Sequence, residues 1–182
     1  LVLGNNRSVD PGVKPLRYAD DDAARWAELL GPLSARLELL TVLDSESQAL
    51  HPSLVREATP PTLAALDAAL GRLQTQIAAD RAAGHETTLF FVFVGHGSVG
   101  QSREGYVSLL DGRFTRADLY EKVVRRIGAD YQHVVIDACN AYFLVNRRGG
   151  SEFGPAFGDL VRSYVDDQDL ERWPQLGVLL ST

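Results

Sequence analysis

The sequence predicts an α/β fold in which helices flank a mainly parallel central sheet. Apolar runs of strand length alternate with segments of helical periodicity along the chain, which is typical of proteins with a parallel sheet. The chain has 182 residues, 45% of them apolar, and this suits one domain with a substantial core. We therefore interpret residues 1–182 as a single domain.

Composition and end signals predict the individual elements. The predicted strands are the apolar runs 1–4, 35–44, 88–94, 133–138 and 177–181. The predicted helices are 19–31, with acids in its first turn, 62–83, which Thr62 caps, and one that begins near Thr115. The stretch QSREGYVSLLDG is predicted to be extended and hairpin-like. The segment around 146–172 is rich in glycine and aspartate, and we predict that it is a mobile loop that holds a short helix.

The charge and the cysteine count exclude several classes of protein. A net charge of -6, a pI near 5.2 and the lack of a basic stripe argue against a nucleic-acid or anionic-membrane partner, because either needs a basic surface. No apolar run reaches the roughly 18–20 residues of a membrane span, and we expect a cytoplasmic protein. The single cysteine, Cys139, excludes an internal disulfide and a zinc site of four cysteines or of cysteines and histidines.

Glycines follow the third predicted strand with the G-x-G-x-x-G spacing of a dinucleotide-binding loop, at Gly95, Gly97 and Gly100. Such a loop opens directly into a helix whose amide end faces the pyrophosphate, and it follows the first strand of its unit. Here an extended segment comes next, and the strand is the third. These differences disfavour a dinucleotide site.

A histidine and the lone cysteine follow two successive long strands. His96 comes after the run FFVFV beside small residues, and Cys139 comes after VVIDA. Functional groups of parallel sheets collect beyond the carboxyl ends of strands, which predicts that these two side chains face each other across a cleft. An imidazole beside a thiol is an arrangement for nucleophilic catalysis. The structural alternative is a small buried cysteine and a hydrogen-bonded turn histidine.

Four segments, taken in order, resemble the caspase-like cysteine peptidases, and especially the metacaspases and related bacterial enzymes: LVLGNN, LRYADDDA, FFVFVGHGS and VVIDACNA. The resemblance covers nearly the whole chain. The caspase signature Q-A-C-[RQG]-G, with a histidine about 50 residues upstream, corresponds to the segment 137–141 and to His96. Asp137 replaces the glutamine of that signature, and Asn140 and Ala141 replace the two residues after the cysteine.

The resemblance implies a caspase-like (caspase-hemoglobinase) fold and the hydrolysis of peptide bonds. It implies that Cys139 is the nucleophile, that His96 is the general acid and base, and that the backbone amides of Gly97 and Cys139 form the oxyanion hole. Asn140 is expected to help position its loop without a catalytic role. Since both ends of the chain interrupt apolar runs, we expect the C-terminal part of the fold to be absent from this chain, as a missing segment or a separate small subunit.

An acid two residues before the nucleophile predicts the specificity. Alternate residues at a strand end point to the same side, so Asp137 accompanies Cys139 toward the cleft. A carboxylate beside a reactive thiol opposes thiolate formation unless it serves a separate pocket that receives a cation. Metacaspases, which cut after arginine or lysine, similarly carry such an acid. They have a second one in the pattern L-x-G-C-x-N-D-A, which falls on Asp22. The predicted substrate-binding residues are therefore Asp22 and Asp137.

Several alternatives remain open at this stage. Asp20, Asp21 and Asp22 are equally typical of first-turn helix acids that offset the macrodipole. Caspases proper cleave after aspartate and need arginines in the pocket. Arg17 lies in the right general segment, although Asp137 would repel a substrate carboxylate. Two other functions remain as alternatives to a peptidase. One is a catalytically silent regulatory or scaffold domain, and the other is a thiol amidase or acyltransferase that acts on a small substrate.

The resemblance also bears on maturation and partners. Arg147 and Arg148 suit self-cleavage by an arginine-specific enzyme, with an ordinary solvated loop as the alternative. Some metacaspases need calcium, but the spacing of Asp166, Asp167 and Asp169 is not that of a known calcium loop. No organic cofactor is expected. The expected partners are a protein or peptide substrate and a regulatory assembly, since similar bacterial proteins act in regulated cell death and antiviral defence.

Overall fold

A six-stranded sheet is the centre of the computed structural model, which describes residues 1–101, 104–145 and 173–181. In chain order the strands are β1 (Val2–Asn5), β2 (Leu39–Leu40), β3 (Ala58–Thr59), β4 (Thr88–Gly95), β5 (Gly97–Val99), β6 (Gly105–Ser108), β7 (Arg113–Thr115), β8 (Tyr131–Asp137) and β9 (Leu176–Ser181). The central sheet has the order β3-β2-β1-β4-β8-β9, and all of its pairs are parallel. The predicted α/β class with a mostly parallel sheet is confirmed.

Side-chain caps mark where most of the helices begin. The helices are α1 (Ala19–Leu30), α2 (Ser45–Leu50), α3 (Leu63–Ala82), α4 (Arg116–Asp118) and α5 (Ala141–Val145). Asp44 and Thr62 cap α2 and α3 by accepting hydrogen bonds from backbone amides. Thr115 and Asp118 form a capping box at the start of α4, which continues as a π-helical segment over Leu119–Val124. The predicted helices at 19–31 and 62–83 and the predicted cap Thr62 are confirmed.

The order of the connections creates a switch point between β1 and β4. From β1 the chain moves outward to β2 and β3, whereas from β4 it moves in the opposite direction to β8 and β9. Parallel crossovers are right-handed, so the two halves use opposite faces: α1 packs on one face, and α3 and α5 pack on the other. Open parallel sheets bind ligands beyond the carboxyl ends of their strands at such a point. A ligand site is therefore expected beyond the carboxyl ends of β1, β4 and β8.

The unbroken apolar run of β4 is explained by burial on both faces of the sheet. Phe91 and Phe93 are fully buried in the core on the α3 face, and Val92 and Val94 are buried in the core on the α1 face. A strand covered on both sides has no solvent-facing position that needs a polar residue. This rigid strand leads directly to His96.

A small antiparallel sheet follows β4 directly, with the strand order β5-β6-β7. Its residues Val107 and Phe114 are buried in the core on the α3 face, where the ring of Phe114 stacks on that of Phe91 with centroids 5.8 Å apart. The extended segment predicted after Gly100 is therefore confirmed in β6. This sheet lies beside the carboxyl end of β4, to which His96 joins it.

The second strand is shorter than predicted. The sequence predicts a strand over 35–44, but the structure has only Leu39–Leu40 in the sheet. Before these residues, Glu38 forms ion pairs with Arg36 and Arg72, and after them the side chain of Val42 is exposed. The apolar character of the segment extends beyond the two residues that have strands on both sides.

Five short elements were not predicted: α2, β3, β5, β7 and α5. Helices and strands of two to six residues carry too little periodicity to be recognised in a sequence. The predicted loop around 146–172 lies outside the described residues. Among the residues that are described, none of the helices combines the length and apolarity needed to cross a membrane.

Candidate active site

His96 and Cys139 leave the central sheet side by side. β4 and β8 are parallel neighbours, and Val94 pairs with Asp137 near their carboxyl ends. Two residues beyond this pair, the two chains reach His96 and Cys139. The structure therefore brings the two predicted catalytic residues to the same edge of the sheet, at the ends of adjacent strands.

Gly97 lies directly against the backbone of Cys139. A Cβ atom at position 97 would collide with the carbonyl oxygen of Cys139 and would lie 3.0 Å from the Cβ of Ala138. Cβ atoms in real proteins do not approach a backbone oxygen so closely, so only glycine fits there. The segment after β4 and the segment after β8 are thus in contact at the candidate site.

A tight turn presents the thiol of Cys139. The amide of Ala141 donates a hydrogen bond to the carbonyl oxygen of Ala138 at 3.2 Å, which makes Cys139 and Asn140 the two central residues of a turn. Asn140 has a φ of 57°, in the left-handed region where asparagine is better tolerated than other residues with a Cβ. The turn leads into α5 and leaves Cys139 exposed. The backbone conformation of Asn140 therefore fits the expectation that this residue helps to position its loop.

The ring of His96 has a nitrogen without a partner. The carbonyl oxygen of His96 accepts a hydrogen bond from the amide of Ser108 at 2.9 Å, and this fixes its backbone to β6. The side chain is partly buried, and within the described part of the chain Nε2 is enclosed without a hydrogen-bond partner. The candidate site thus has an exposed cysteine at one strand end and, at the adjacent strand end, a histidine with an unpartnered ring nitrogen among the described residues.

Asp137 lies on the α1 face of the sheet. Val135, two residues earlier in β8, packs against the core on that face, and alternate residues of a strand point the same way. The side chain of Asp137 is exposed at the carboxyl end of the strand. It is therefore an exposed carboxylate two residues before the candidate nucleophile.

Asp22 lies in the first turn of α1, at the carboxyl edge of the sheet. Asp20, about 200° away round the helix, contacts the segment that follows β2, so the two acids point in nearly opposite directions. Trp26, one turn after Asp22, packs with Val135 against the core on the α1 face. The side chain of Asp22 is 42% exposed and forms an ion pair with Arg25 at 3.2 Å. Asp22 and Asp137 thus lie on the same face and near the same edge of the sheet.

The other two acids of the first turn are buried. Asp20 accepts hydrogen bonds from the side chains of Asn6 and Ser47, at 2.6 and 2.7 Å, and from the amide of Asp44 at 3.0 Å. Asp21 is 8% exposed, and its Oδ1 has no partner among the described residues. Asp20 is therefore a structural residue, which three consecutive aspartates in a sequence do not reveal.

Asp10 ties the loop between β1 and α1 to the small sheet near His96. Its carboxylate accepts hydrogen bonds from the hydroxyl of Tyr106 and from the guanidinium of Arg113, both at 2.5 Å. The hydrogen bond from Tyr106 lowers the pKa of Asp10 most, and the hydrogen bond from Arg113 lowers it further. A positive charge on His96 acts in the same direction. Burial raises the pKa of Tyr106, as does its hydrogen bond to Asp10. An anchored carboxylate therefore lies within electrostatic range of the candidate base.

Two asparagines at the end of β1 were missed by sequence reasoning as site residues. Asn6 accepts a hydrogen bond from the amide of Ala19 at 2.8 Å and so fixes the start of α1. Asn5 is 3% exposed and binds the carbonyl oxygen of Ser108 in β6. Asparagine is common in turns, so no local pattern in the sequence marks these two residues as part of a site.

The remaining predicted residues do not contribute to the described site. Arg17 is exposed, and its guanidinium lies 5.8 Å from the ring centroid of Tyr18. The predicted self-cleavage and calcium residues lie outside the described ranges: Arg147, Arg148, Asp166, Asp167 and Asp169. Within residues 1–101, 104–145 and 173–181, no three histidine, cysteine or acidic side chains converge as metal ligands.

The chemistry of the site has to be interpreted from its own residues. In comparisons with known proteins, no family model, no curated protein and no solved structure matches this chain. The chain itself provides a thiol and an imidazole at adjacent strand ends, with carboxylates on the neighbouring face. A thiol and an imidazole in such a set suit nucleophilic attack on a carbonyl group.

Proposed function

We propose that this protein is a cysteine endopeptidase of caspase-like fold that hydrolyses peptide bonds after arginine or lysine. The observation that carries the proposal is the pairing of the ends of β4 and β8, which brings His96 and Cys139 together with Gly97 against Cys139. Both strands belong to the interior of the sheet, so the two side chains start from rigid supports. The substrate is a protein or peptide that lies across the carboxyl edge.

The proposed reaction proceeds through a thioester. Sγ of Cys139 forms a bond to the carbonyl carbon of the substrate while its proton passes to His96. The C–N bond then breaks, and His96 donates that proton to the leaving amine. A water molecule then loses a proton to His96 while its oxygen forms a bond to the thioester carbon. The C–S bond breaks, the acid product leaves, and the thiolate of Cys139 recovers the proton from His96.

The proposed oxyanion hole is formed by the amides of Gly97 and Cys139. Charge develops on the carbonyl oxygen during both steps, and fixed N–H donors stabilise it. The contact between these two residues supports the assignment, because it fixes the two backbones relative to each other at the point of attack.

The proposed specificity rests on Asp137 and Asp22. Both carboxylates lie on the α1 face near the reactive edge, and a cationic side chain that extends from the scissile bond toward that face would meet them. A guanidinium or ammonium group gains from two carboxylates, whereas a substrate aspartate would be repelled. Arg25, which already pairs with Asp22 at 3.2 Å, would have to release it or share it.

One observation favours a second candidate, a catalytically silent domain that binds partners at the same edge. Nε2 of His96 is enclosed without a hydrogen-bond partner among the described residues, so this nitrogen is not hydrogen-bonded to the thiol. Catalytic hydrogen bonds are often long or absent before substrate binds, which is why the enzyme remains the first candidate. The two candidates differ in the reactivity of Cys139.

The first experiment measures cleavage of matched fluorogenic peptides that differ only in arginine, lysine, aspartate or alanine before the scissile bond. The full-length protein should cleave the arginine and lysine peptides, and the variants Cys139→Ala and His96→Ala should not. His133→Ala is the matched control, because His133 is an exposed histidine near the opposite end of β8. Cleavage of the aspartate peptide instead would overturn the proposed specificity and leave the catalytic pair in place.

The second experiment tests the pocket with Asp137→Asn, which removes the charge and keeps the shape. We expect a lower kcat/KM for the arginine peptide, while Asp67→Asn has no effect. Asp67 is a suitable control, since it is an exposed acid on α3, on the other face of the sheet. Equal loss in both variants would mean that overall charge, and not a pocket, attracts the substrate.

The third experiment separates the enzyme from the silent domain through the single thiol. Because Cys139 is the only cysteine, any covalent adduct found by mass spectrometry is located without ambiguity. An arginyl chloromethyl ketone should react much faster than iodoacetamide at equal concentration, since the peptide part is bound first. If both react at the same low rate and no peptide is cleaved, the silent domain is the correct interpretation.

A further inference from the structure

Asn5 is a buried polar residue beside the strand that leads to His96. It is 3% exposed at the carboxyl end of β1, and it pairs with Gly95 in the parallel register of β1 and β4. Its carbonyl oxygen lies so close to this glycine that a Cβ at position 95 would come within 2.8 Å. Asn5 is thus the β1 residue next to the peptide that precedes His96.

The side chain of Asn5 is fully engaged by two other segments. Nδ2 donates hydrogen bonds to the carbonyl oxygens of Ser108 at 2.7 Å and of Arg7 at 2.8 Å. Oδ1 accepts a hydrogen bond from the amide of Arg7 at 3.1 Å. One amide group therefore joins the β1–α1 loop to β6 in the small sheet.

Ser108 passes this constraint on to His96. Its carbonyl oxygen accepts from Asn5, and its amide donates to the carbonyl oxygen of His96 at 2.9 Å. A continuous line of two hydrogen bonds thus runs from the Asn5 side chain to the backbone of the histidine. The contact at Ser108 is buried, so water does not replace it readily.

We infer that Asn5 is a positioning residue for His96, which it acts on through Ser108. This inference rests on the proposed function, because positioning matters only if His96 takes part in a reaction. Asn5 holds the small sheet at a fixed distance from the end of β4 and so sets where the imidazole lies relative to Cys139. A catalytic group that is displaced by about 1 Å loses roughly 100-fold in rate.

A purely structural role for Asn5 makes a different prediction. If the amide only stabilised the fold, its loss would lower the melting temperature, and each folded molecule would remain as active as before. A positioning role lowers kcat in molecules that are fully folded, with little change in KM, because peptide binding depends on other residues. The ratio of these two effects separates the roles.

The experiment compares Asn5→Ala and Asn5→Asp with Thr87→Val. In Asn5→Asp the shape is kept, but both donors are lost and a carboxylate faces the two carbonyl oxygens. Thr87 is the matched control: it is 7% exposed, exchanges hydrogen bonds with Asp130, and precedes β4 at the amino end of the strand, away from the site. We expect kcat of both Asn5 variants to fall about 10- to 100-fold at constant KM under conditions where all proteins are folded. Thr87→Val should keep the kcat of the wild type.

A second readout does not depend on peptide cleavage. The amide of Ser108 should exchange with deuterium faster in the Asn5 variants than in the wild type and in Thr87→Val, because its hydrogen bond to His96 is weakened. If kcat of folded Asn5→Ala equals that of the wild type, or if Ser108 keeps its protection, the inference is wrong. If the wild type cleaves no peptide, the proposed function fails, and the exchange rate of Ser108 still decides whether Asn5 fixes His96.

Discussion

The α-carbon of Gly97 faces the carbonyl oxygen of Cys139 with no room for a Cβ between them. One residue before this contact lies the candidate base, and the contact itself includes the backbone of the candidate nucleophile. Direct main-chain packing therefore helps to fix the two candidate catalytic residues relative to each other.

Gly97→Ala should disable the site without unfolding the protein. The added methyl group would push the Cys139 backbone away, and a shift of about 1 Å is expected to cost roughly 100-fold in kcat/KM. Gly71→Ala is the control, because position 71 lies in α3 with open space around it, and alanine there should add about 0.5–1 kcal/mol of stability. Peptide cleavage and thermal unfolding measure the two effects. Wild-type activity in Gly97→Ala would contradict the tight contact.

Asn140 should be replaceable by glycine but not by a β-branched residue. Its φ of 57° is accessible to glycine, whereas valine in the left-handed region costs about 1–2 kcal/mol. Asn140→Gly should therefore keep stability and activity, and Asn140→Val should lose both. Denaturant unfolding with parallel activity assays checks this. Equal loss of activity in the two variants would show that the asparagine side chain, not its backbone conformation, is required.

The loss of charge should lower stability at Asp20 and substrate affinity at Asp22. Asp20→Asn weakens three hydrogen bonds to a buried carboxylate, and we expect about 1.5–3 kcal/mol less stability. Asp22→Asn removes a partly exposed ion pair that contributes about 0.2–1 kcal/mol, but it should raise KM for arginine peptides. Chemical denaturation and Michaelis–Menten kinetics on both variants test the contrast. A normal KM in Asp22→Asn would remove this residue from the proposed pocket.

Glu38 should make the stability depend on acid pH. Burial raises the pKa of Glu38, but the hydrogen bonds and charges of Arg72 and Arg36 outweigh it, so the pKa lies below its usual 4.5. The folded protein thus binds this proton less readily than the unfolded chain. The stabilisation is complete above pH 4.5 and is lost as the pH falls through the folded-state pKa.

Glu38→Gln tests that dependence. The variant should be about 1.5–3 kcal/mol less stable at pH 7, since a hydrogen-bonded charge is lost from a side chain that is 10% exposed. Its free energy of unfolding should also fall less steeply than that of the wild type below pH 4.5. Urea titrations over this pH range measure both. A slope that does not change would mean that other acids control the acid unfolding.

Strong local patterns made much of the fold predictable. β4 is an unbroken apolar run, α3 has apolar residues at intervals of three and four, and the cap Thr62 marks the start of α3. His96 and Cys139 were found because a parallel sheet brings the ends of its strands to one edge. The pairing of Val94 with Asp137, which sets their alignment, is a matter of register that the sequence leaves open.

Long-range hydrogen bonds account for most of what the sequence did not reveal. Asn5 binds a residue 103 positions away, and no local pattern distinguishes it from a turn asparagine. Asp20 and Asp22 carry the same side chain, and only the rotation of α1 decides that one is buried and the other is partly exposed. The roles of these residues follow from tertiary packing alone.

The small sheet has a consequence for how the protein would lose activity on warming. β5 begins one residue after His96, α5 begins two residues after Cys139, and α5 packs against β6, so both reactive residues are joined to the same peripheral unit. Units of short strands and a short helix open locally before a central sheet unfolds. On warming, the activity should then be lost before the far-UV circular dichroism signal. Cooling should restore the activity, because the central sheet that realigns His96 and Cys139 has stayed folded.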